Sequence, residues 1–337
     1  MSSQENMKAI VWTQYGPPEV LQLKEVPKPV PKDNQVLVKV AATTAFAGDV
    51  ELRGLNISIL YRLPLRIFIG LVKPKRITIL GQELAGVIES VGKNVKSLKV
   101  GDQIFGGTGF GMGAYAEYVC LFEKIEGLAG PLAIKPKNMS FQESATVVTG
   151  GLDALHFIRK ANIKPGEKIL INGAGGSIGT YGVQLAKNLG AEVTGVDKAE
   201  KLEMLRSIGA DHVIDYTQQN FTENGESYDV IYDVVGKSPF LASINSLNQH
   251  GRYLIGNPSL SSSILGGLVS LIKGKTVVTQ SATQKTEDLL LLKELIETGK
   301  LKSIIDKSYP LQETAEAHRY VESGYKKGHV VITVDRK

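Results

Sequence analysis

The chain has 337 residues, enough for about two domains at roughly 150 residues each. Hydrophobic residues make up 42% and charged residues 22%, a globular balance that excludes wholesale disorder. Lys and Arg number 39 against 34 Asp and Glu, a net charge of +5. That is mildly basic for this length and does not suggest a dedicated nucleic-acid binder, which should gather its Lys and Arg on one face or tail, so no nucleic-acid partner is expected.

Residues 1–12 contain neither an apolar run of signal-peptide length nor an Arg-rich amphipathic stretch. Short runs rich in β-branched residues predict strands over 9–12, 20–26, 35–41, 84–91, 103–105 and 116–120. Gly16-Pro17-Pro18, the prolines of 27–31, Gly92, Gly101, Gly106 and Gly107 supply the turns. Many short strands with such turns predict a barrel-like or sandwich β domain. Residues 55–72 are the most apolar stretch, but Arg62, Pro64 and Arg66 interrupt it. A spanning helix needs ~20 mostly apolar residues without such breaks. The single cysteine, Cys120, allows no internal disulfide and no Cys-rich zinc site. A cytoplasmic protein is the expectation.

From about residue 141 the period changes. A helix is predicted over 141–161, a strand over 168–172, and a helix over 177–189 with Ile178, Tyr181, Leu185 and Leu189 at helical spacing. A strand over 192–196 precedes a helix over 199–208 that Gly209 stops. Further strands are predicted at 213–214, 230–232, 252–255 and 275–280, the last at the edge of the sheet. Thr286 opens a helix that Gly299 closes, and a helix over 313–323 and a strand over 330–334 finish the chain. The βαβ series predicts an α/β fold with a doubly wound parallel sheet.

One motif carries chemistry. The strand ending at Asn172 leads into Gly173-Ala174-Gly175-Gly176-Ser177-Ile178-Gly179, and a helix follows at once. Glycines permit a tight turn and close approach of the backbone to a pyrophosphate. The first helical turn offers free N–H groups and the positive end of the helix dipole to that anion. Asp197 ends the next strand, 18 residues after Gly179, where an acid can hold a ribose diol. The competing reading is a Gly-rich turn with no nucleotide; the acid and the strand–helix context weigh against it.

With these residues the chain resembles the medium-chain dehydrogenase/reductase superfamily, in its zinc-independent quinone oxidoreductase-like branch. The resemblance also rests on the Gly81-Gln82-Glu83-Leu84-Ala85-Gly86 segment that runs on to Gly92, on Val100-Gly101-Asp102, and on Gly113-Ala114-Tyr115-Ala116-Glu117-Tyr118. Gly209-Ala210-Asp211-His212 and Gly328-His329-Val330-Val331 follow in order. It implies a GroES-like β-rich catalytic domain, 1–138 with 284–337, and a Rossmann nucleotide-binding domain, 139–283, with the cofactor in the cleft between them. The family's zinc-dependent members supply a Cys and a His-Glu pair from the first domain. Here Thr44-Ala45-Phe46-Ala47-Gly48-Asp49 has no Cys, Gln82 replaces the His, and no histidine precedes His156. A catalytic zinc takes three protein ligands, so no zinc is expected. Without a Lewis acid, hydride transfer to a quinone or an α,β-unsaturated carbonyl is favoured over alcohol oxidation. The alternatives are an alcohol dehydrogenase-like enzyme and a nucleotide-binding module with little turnover.

The resemblance places further residues at the cofactor: Thr149, Val235-Gly236 after one strand, and Ile255-Gly256-Asn257 after another. The crevice at the carboxyl ends of strands is where such sheets bind ligands. Asp153 stands where the family carries Thr, and a helix cap is the competing use of this region. Tyr216 is placed to flank the adenine, or is an ordinary half-buried tyrosine. Catalytic candidates are Tyr61, as a donor to the acceptor oxygen, and Asp49. A core or lid tyrosine is the commoner use of the first, and loop ordering an alternative for the second. Phe46 replaces a small polar residue and weakens any polar contact from its position.

NAD(H) is expected over NADP(H), because a 2′-phosphate would face Asp197; Lys198 and Lys201 keep NADP(H) open. A homodimer is expected, since 264–272 is apolar for a surface excursion and lies beside the edge strand 275–280. Finally, the segment from Arg53 to Arg76 carries six cations and no acid, interleaved with Leu60, Leu63, Phe68, Ile69 and Leu71. A lid with solvated basic residues is the ordinary reading; a patch touching anionic lipid is the sharper one.

Overall fold

A computed structural model describes residues 5–57, 59–272 and 274–334. In chain order the elements begin with β1 (Asn6–Trp12), β2 (Leu21–Pro27), β3 (Gln35–Thr44), α1 (Ala47–Gly54), α2 (Ile59–Ile69) and β4 (Glu83–Val91). They continue with β5 (Gln103–Gly107), β6 (Tyr118–Phe122), β7 (Leu132–Ile134), α3 (Phe141–Ala145), α4 (Val148–Ala161), β8 (Lys168–Asn172) and α5 (Ser177–Asn188). Then come β9 (Glu192–Asp197), α6 (Ala199–Ser207), β10 (His212–Asp215), β11 (Tyr228–Asp233), α7 (Phe240–Asn245), β12 (Leu247–Ile255) and α8 (Leu260–Ile272). The chain closes with β13 (Thr276–Val278), α9 (Thr286–Glu297), β14 (Ile305–Pro310), α10 (Thr314–Glu322) and β15 (His329–Thr333).

The chain divides into two compact units. The first contains Met1–Thr149, Gln284–Glu297 and Ile305–Lys337; the second contains Gly150–Thr283 and Thr298–Ile304. In the first unit the sheet runs β14-β15-β3-β4-β5-β7, with β6 also paired to β3. Neighbours are antiparallel except β14 and β15. Alternate residues of β3 and β4 (Val36, Val38, Val40; Leu84, Ile88) point into one core with Trp12, Tyr115 and Ile332. Leu37, on the opposite face of β3, is buried in a second cluster with Met7, Ala9 and Tyr118, so this strand is covered on both faces there. In the second unit all neighbours are parallel, in the order β10-β9-β8-β11-β12-β13. Ile169, Leu170 and Ile171 are each fully buried, as a central parallel strand covered on both faces must be. The α/β architecture is therefore a GroES-like β domain and a Rossmann sheet.

Two local expectations change, and two elements appear where none was expected. The helix predicted over 141–161 is two. Ser140 and Glu143 form a capping box that starts α3. The N–H groups of Thr146 and Val147 then bond three residues back, and the β-branched run 146–148 disfavours carrying the helix on. Within 55–72, for which the sequence predicts no element, α2 forms despite Pro64; buried Ile69, with Leu65 and Phe68 packed on the core, offsets the lost donor. The apolar 264–272 lies within α8, whose N-cap Ser259 accepts the N–H of Ser262. Strand β14 escapes sequence reading because Asp306-Lys307-Ser308 break its alternation; parallel pairing with β15 creates it.

Candidate functional site

Strand β8 pairs with β9 on one side and β11 on the other, and the glycine turn leaves its carboxyl end. Gly173 adopts φ +82°, a left-handed conformation glycine takes without strain. A Cβ on Gly179 would lie 2.3 Å from the Gly173 carbonyl oxygen and 2.6 Å from Ala174 Cα. Only glycine lets the helix start pack so close to the strand end. Gly176 is the N-cap of α5 and brings no capping side chain; Ser177, Ile178 and Gly179 form the first turn. This turn suits an anion.

Asp197, at the end of β9, is only 6% exposed. Its Oδ2 accepts the Gly175 N–H at 2.8 Å, and its Oδ1 accepts the Lys198 N–H at 2.9 Å. Lys201, one turn into α6 and equally buried, pairs with the same Oδ1 at 2.9 Å. A Cβ on Gly175 would sit 2.6 Å from Lys201 Cδ, so the glycine also makes room for this pair. Tyr216, half-exposed, bonds its N–H to the Asp197 carbonyl, so the sheet brings it to the same strand end.

The other two turns also meet. A Cβ on Gly236 (φ +70°) would stand 2.4 Å from the Asn257 carbonyl oxygen. Gly256 donates its N–H to the Asp233 carbonyl, and Ile255 pairs with Asp233 across the sheet. A Cβ on Gly173 would strike Val235 Cγ2 at 2.6 Å, which ties this cluster to the glycine turn. Asp233 organises it: Oδ1 accepts from Gly236 N and Asn172 Nδ2, and Oδ2 from Ser238 N, each at 2.9 Å. Sequence reading passed over Asp233, although its place just before Val234-Val235-Gly236 was a usable signal.

The remaining candidates belong to the first unit. Thr149 is buried and donates its N–H to Glu83 Oε2 at 2.6 Å; the Thr44 hydroxyl donates to Oε1. Asp49 is fully buried in α1, where it accepts the Gly81 N–H. The Tyr115 hydroxyl lies 3.2 Å from Asp49 Oδ2, 3.1 Å from the Thr44 carbonyl and 3.0 Å from His318 Nε2. Buried Arg53 pairs with Glu322. Asp49 is thus sealed and bonded in the manner of a loop-ordering group. Tyr61, on α2, is 59% exposed and does not join that cluster.

Burial raises both carboxyls to about 7; for each, hydrogen bonds oppose the shift, and for Asp49 the Glu83 carboxylate adds to it. Burial, aided by the Arg53 charge, lowers His318 to about 3, so its imidazole is neutral. Carboxyls held near neutrality and committed to internal donors make poor metal ligands. Gln82, whose side chain bonds Asp49, offers only an amide. Among the described residues no three His, Cys, Asp or Glu side chains gather as a metal site. Gln82, with only an amide, and Asp49 and Glu83, bonded internally, do not fit a zinc ligand set.

A pH dependence follows. In the unfolded chain these carboxyls ionise near 4; in the folded chain they ionise near 7. Their contribution to stability is complete below about 4, falls as pH rises to about 7, and is level above that. Glu83→Gln cannot ionise. Between pH 5 and 8, thermal melts of wild type should therefore lose ground to this variant; a gap independent of pH would contradict it.

Comparison with known proteins agrees with this architecture. Residues 32–126 match the family described as alcohol dehydrogenase GroES-like domain, and residues 208–332 the family described as zinc-binding dehydrogenase. A 2-methylene-furan-3-one reductase of Solanum lycopersicum is 33% identical, over 98% of this chain and 80% of its own length. An NADPH-dependent alkenal/one oxidoreductase of Arabidopsis thaliana is 31% identical, over 97% of this chain and 80% of that protein. The solved quinone oxidoreductase from Coxiella burnetii superposes with a TM-score of 0.84 at 28% identity, over 98% of this chain and all of that one. With a GroES-like sheet, a Rossmann sheet and kinship along its whole length, the chain belongs to the medium-chain dehydrogenase/reductase superfamily, in its quinone oxidoreductase-like branch.

Proposed function

We propose that this protein is an oxidoreductase that uses NAD(P)H to reduce quinones or α,β-unsaturated carbonyls, without a catalytic metal. The observation that carries the reading is the closed glycine turn between β8 and α5, in a chain whose relatives are named for enone and quinone reduction. A bound nicotinamide supplies the hydride. The chain's own task is to hold it: N–H groups of the α5 start on the pyrophosphate, Asp197 on a ribose hydroxyl, Tyr216 beside the adenine. The turns at Val235-Gly236 and Ile255-Gly256-Asn257 serve the nicotinamide end. Hydride adds to the conjugated acceptor, its π electrons move onto the acceptor's oxygen, and water returns the proton. That oxygen absorbs the charge for which an alcohol substrate needs a Lewis acid. The test is oxidation of NADH and NADPH in the presence of a benzoquinone, a naphthoquinone and an alkenal, with a chelator added. Turnover unaffected by chelator is expected; cofactor binding without turnover, or turnover only with an alcohol and NAD+, would overturn the proposal.

The cofactor preference we propose is NAD(H), set by the Asp197–Lys201 pair. The carboxylate accepts from Gly175, Lys198 and Lys201, which leaves one acceptor position for a ribose hydroxyl. A 2′-phosphate would add a second anion beside it. Lys201, paired with the carboxylate, weakens that contrast. Asp197→Ser should free Lys201 for the phosphate and raise the NADPH/NADH ratio of kcat/KM by about tenfold or more. Lys201→Gln should move the ratio the other way. Because each ratio is internal to one variant, it is insensitive to the folded fraction. Unchanged ratios in both would mean the pair does not select.

We also propose a homodimer built on the β13 edge. Among the described residues β13 pairs with β12 alone, and α8 beside it exposes Ile264 (60%) and Leu268 (50%). Open edges with adjacent apolar surface are normally covered. Val278→Pro removes a ladder donor and should shift the mass in light scattering toward the monomer. A wild type that is monomeric at every concentration would refute this.

A further inference from the structure

The cations of 53–76 do not form an even solvated face. Helix α2 buries Leu65, Phe68 and Ile69 against the first unit's core, yet its outer face is also apolar. Leu63 and Ile67, one turn apart, are 61% and 66% exposed, and Pro64 lies open between them. Beyond the helix the chain turns back in a fixed loop. The Tyr15 hydroxyl holds the Gly70 carbonyl at 2.7 Å, and the N–H groups of Lys75 and Arg76 bond the Ile69 carbonyl. Arg66 Nε bonds the Leu71 carbonyl at 2.7 Å. This brace presents Leu71 and Val72, 59% and 83% exposed, at the tip. Around the tip stand Arg62, Lys73, Lys75 and Arg76, all exposed. No acid occurs between Glu51 and Glu83; Glu126 lines the cavity that Phe68 and Arg76 also line.

We propose that the outer face of α2 and the 71–76 loop dock the protein on an anionic lipid bilayer. An exposed apolar strip flanked by cations and free of acids is the pattern of an interfacial helix. The strip enters the acyl boundary while lysine and arginine heads meet lipid phosphates. A second copy of this chain is a poor occupant, since a two-fold contact would set cation against cation. The inference gives the proposed function a source of substrate, because lipophilic quinones dissolve in bilayers; it rests on that reading for its purpose but not for its geometry.

Vesicle flotation without cofactor or acceptor tests docking separately from catalysis. The full chain should float with phosphatidylcholine vesicles containing phosphatidylglycerol, at low salt, and not with phosphatidylcholine alone. Raised salt should release it. Lys73→Gln with Lys75→Gln should lower the bound-to-free ratio by about thirtyfold, from about fivefold per lysine. This variant should reduce a water-soluble quinone at the wild-type rate if the proposed function holds. Leu63→Ser with Ile67→Ser should also weaken flotation, while circular dichroism reports its folding. Absence of wild-type flotation on anionic vesicles, equal flotation on neutral ones, or binding unchanged in both variants would overturn docking, whatever the enzyme assay shows.

Discussion

Where a Cβ on Gly179 would stand, 2.3 Å from the Gly173 carbonyl oxygen, there is room for a hydrogen and nothing larger. That close approach lets α5 begin at the end of β8, so that its first N–H groups face outward from the strand ends. The rest of the second unit is arranged about the same strand. β9 on one side delivers Asp197, and β11 on the other delivers Asp233 and the Val235-Gly236 turn. Gly173 also touches the Val235 side chain, so the turns after β8 and β11 are packed as one surface. The side chains there are few; backbone groups, oriented by two buried carboxylates, form most of what a dinucleotide would meet.

Those two carboxylates solve one problem in two ways. Asp233 is satisfied by neutral donors, two N–H groups and an amide, and so fixes the shape of a turn. Asp197 takes two N–H groups and a lysine ammonium, so the pocket wall has a charge pair where a lone anion would otherwise stand. A buried pair of this kind is costly to break on one side only. It is also a natural place for selectivity, because a ribose hydroxyl and a phosphate make opposite demands on it.

The first unit treats its acids differently. Asp49 and Glu83 are enclosed with Tyr115, His318 and Thr44, and burial drives both carboxyls toward neutrality. The same segment in zinc-dependent members presents a His-Glu pair. Here Gln82 is spent on Asp49 and Glu83 on Thr44 and Thr149, so what remains is an internal hydrogen-bond network that ties α1, β4 and the start of α4 together.

Period and punctuation were enough, by themselves, to mark the change from a β-rich segment to a βαβ series near residue 141, the glycine turn and the acid at the end of the next strand. These are local properties: alternation, helical spacing and backbone freedom are written in neighbouring residues. The family resemblance likewise rested on contiguous segments. Tertiary structure alone decided the partners. Asp233 gathering two turns, and Asp49 and Glu83 leaving water, depend on residues distant in sequence. So do α2, which Pro64 and its arginines disguise, and β14, which has no alternation and exists through β15. Composition could count the cations of 53–76, but only packing determined that Leu65, Phe68 and Ile69 turn inward while Leu63 and Ile67 stay outside. A helix with more apolar residues than its core can cover must leave some of them in solvent, and which ones is set by the surface it packs against.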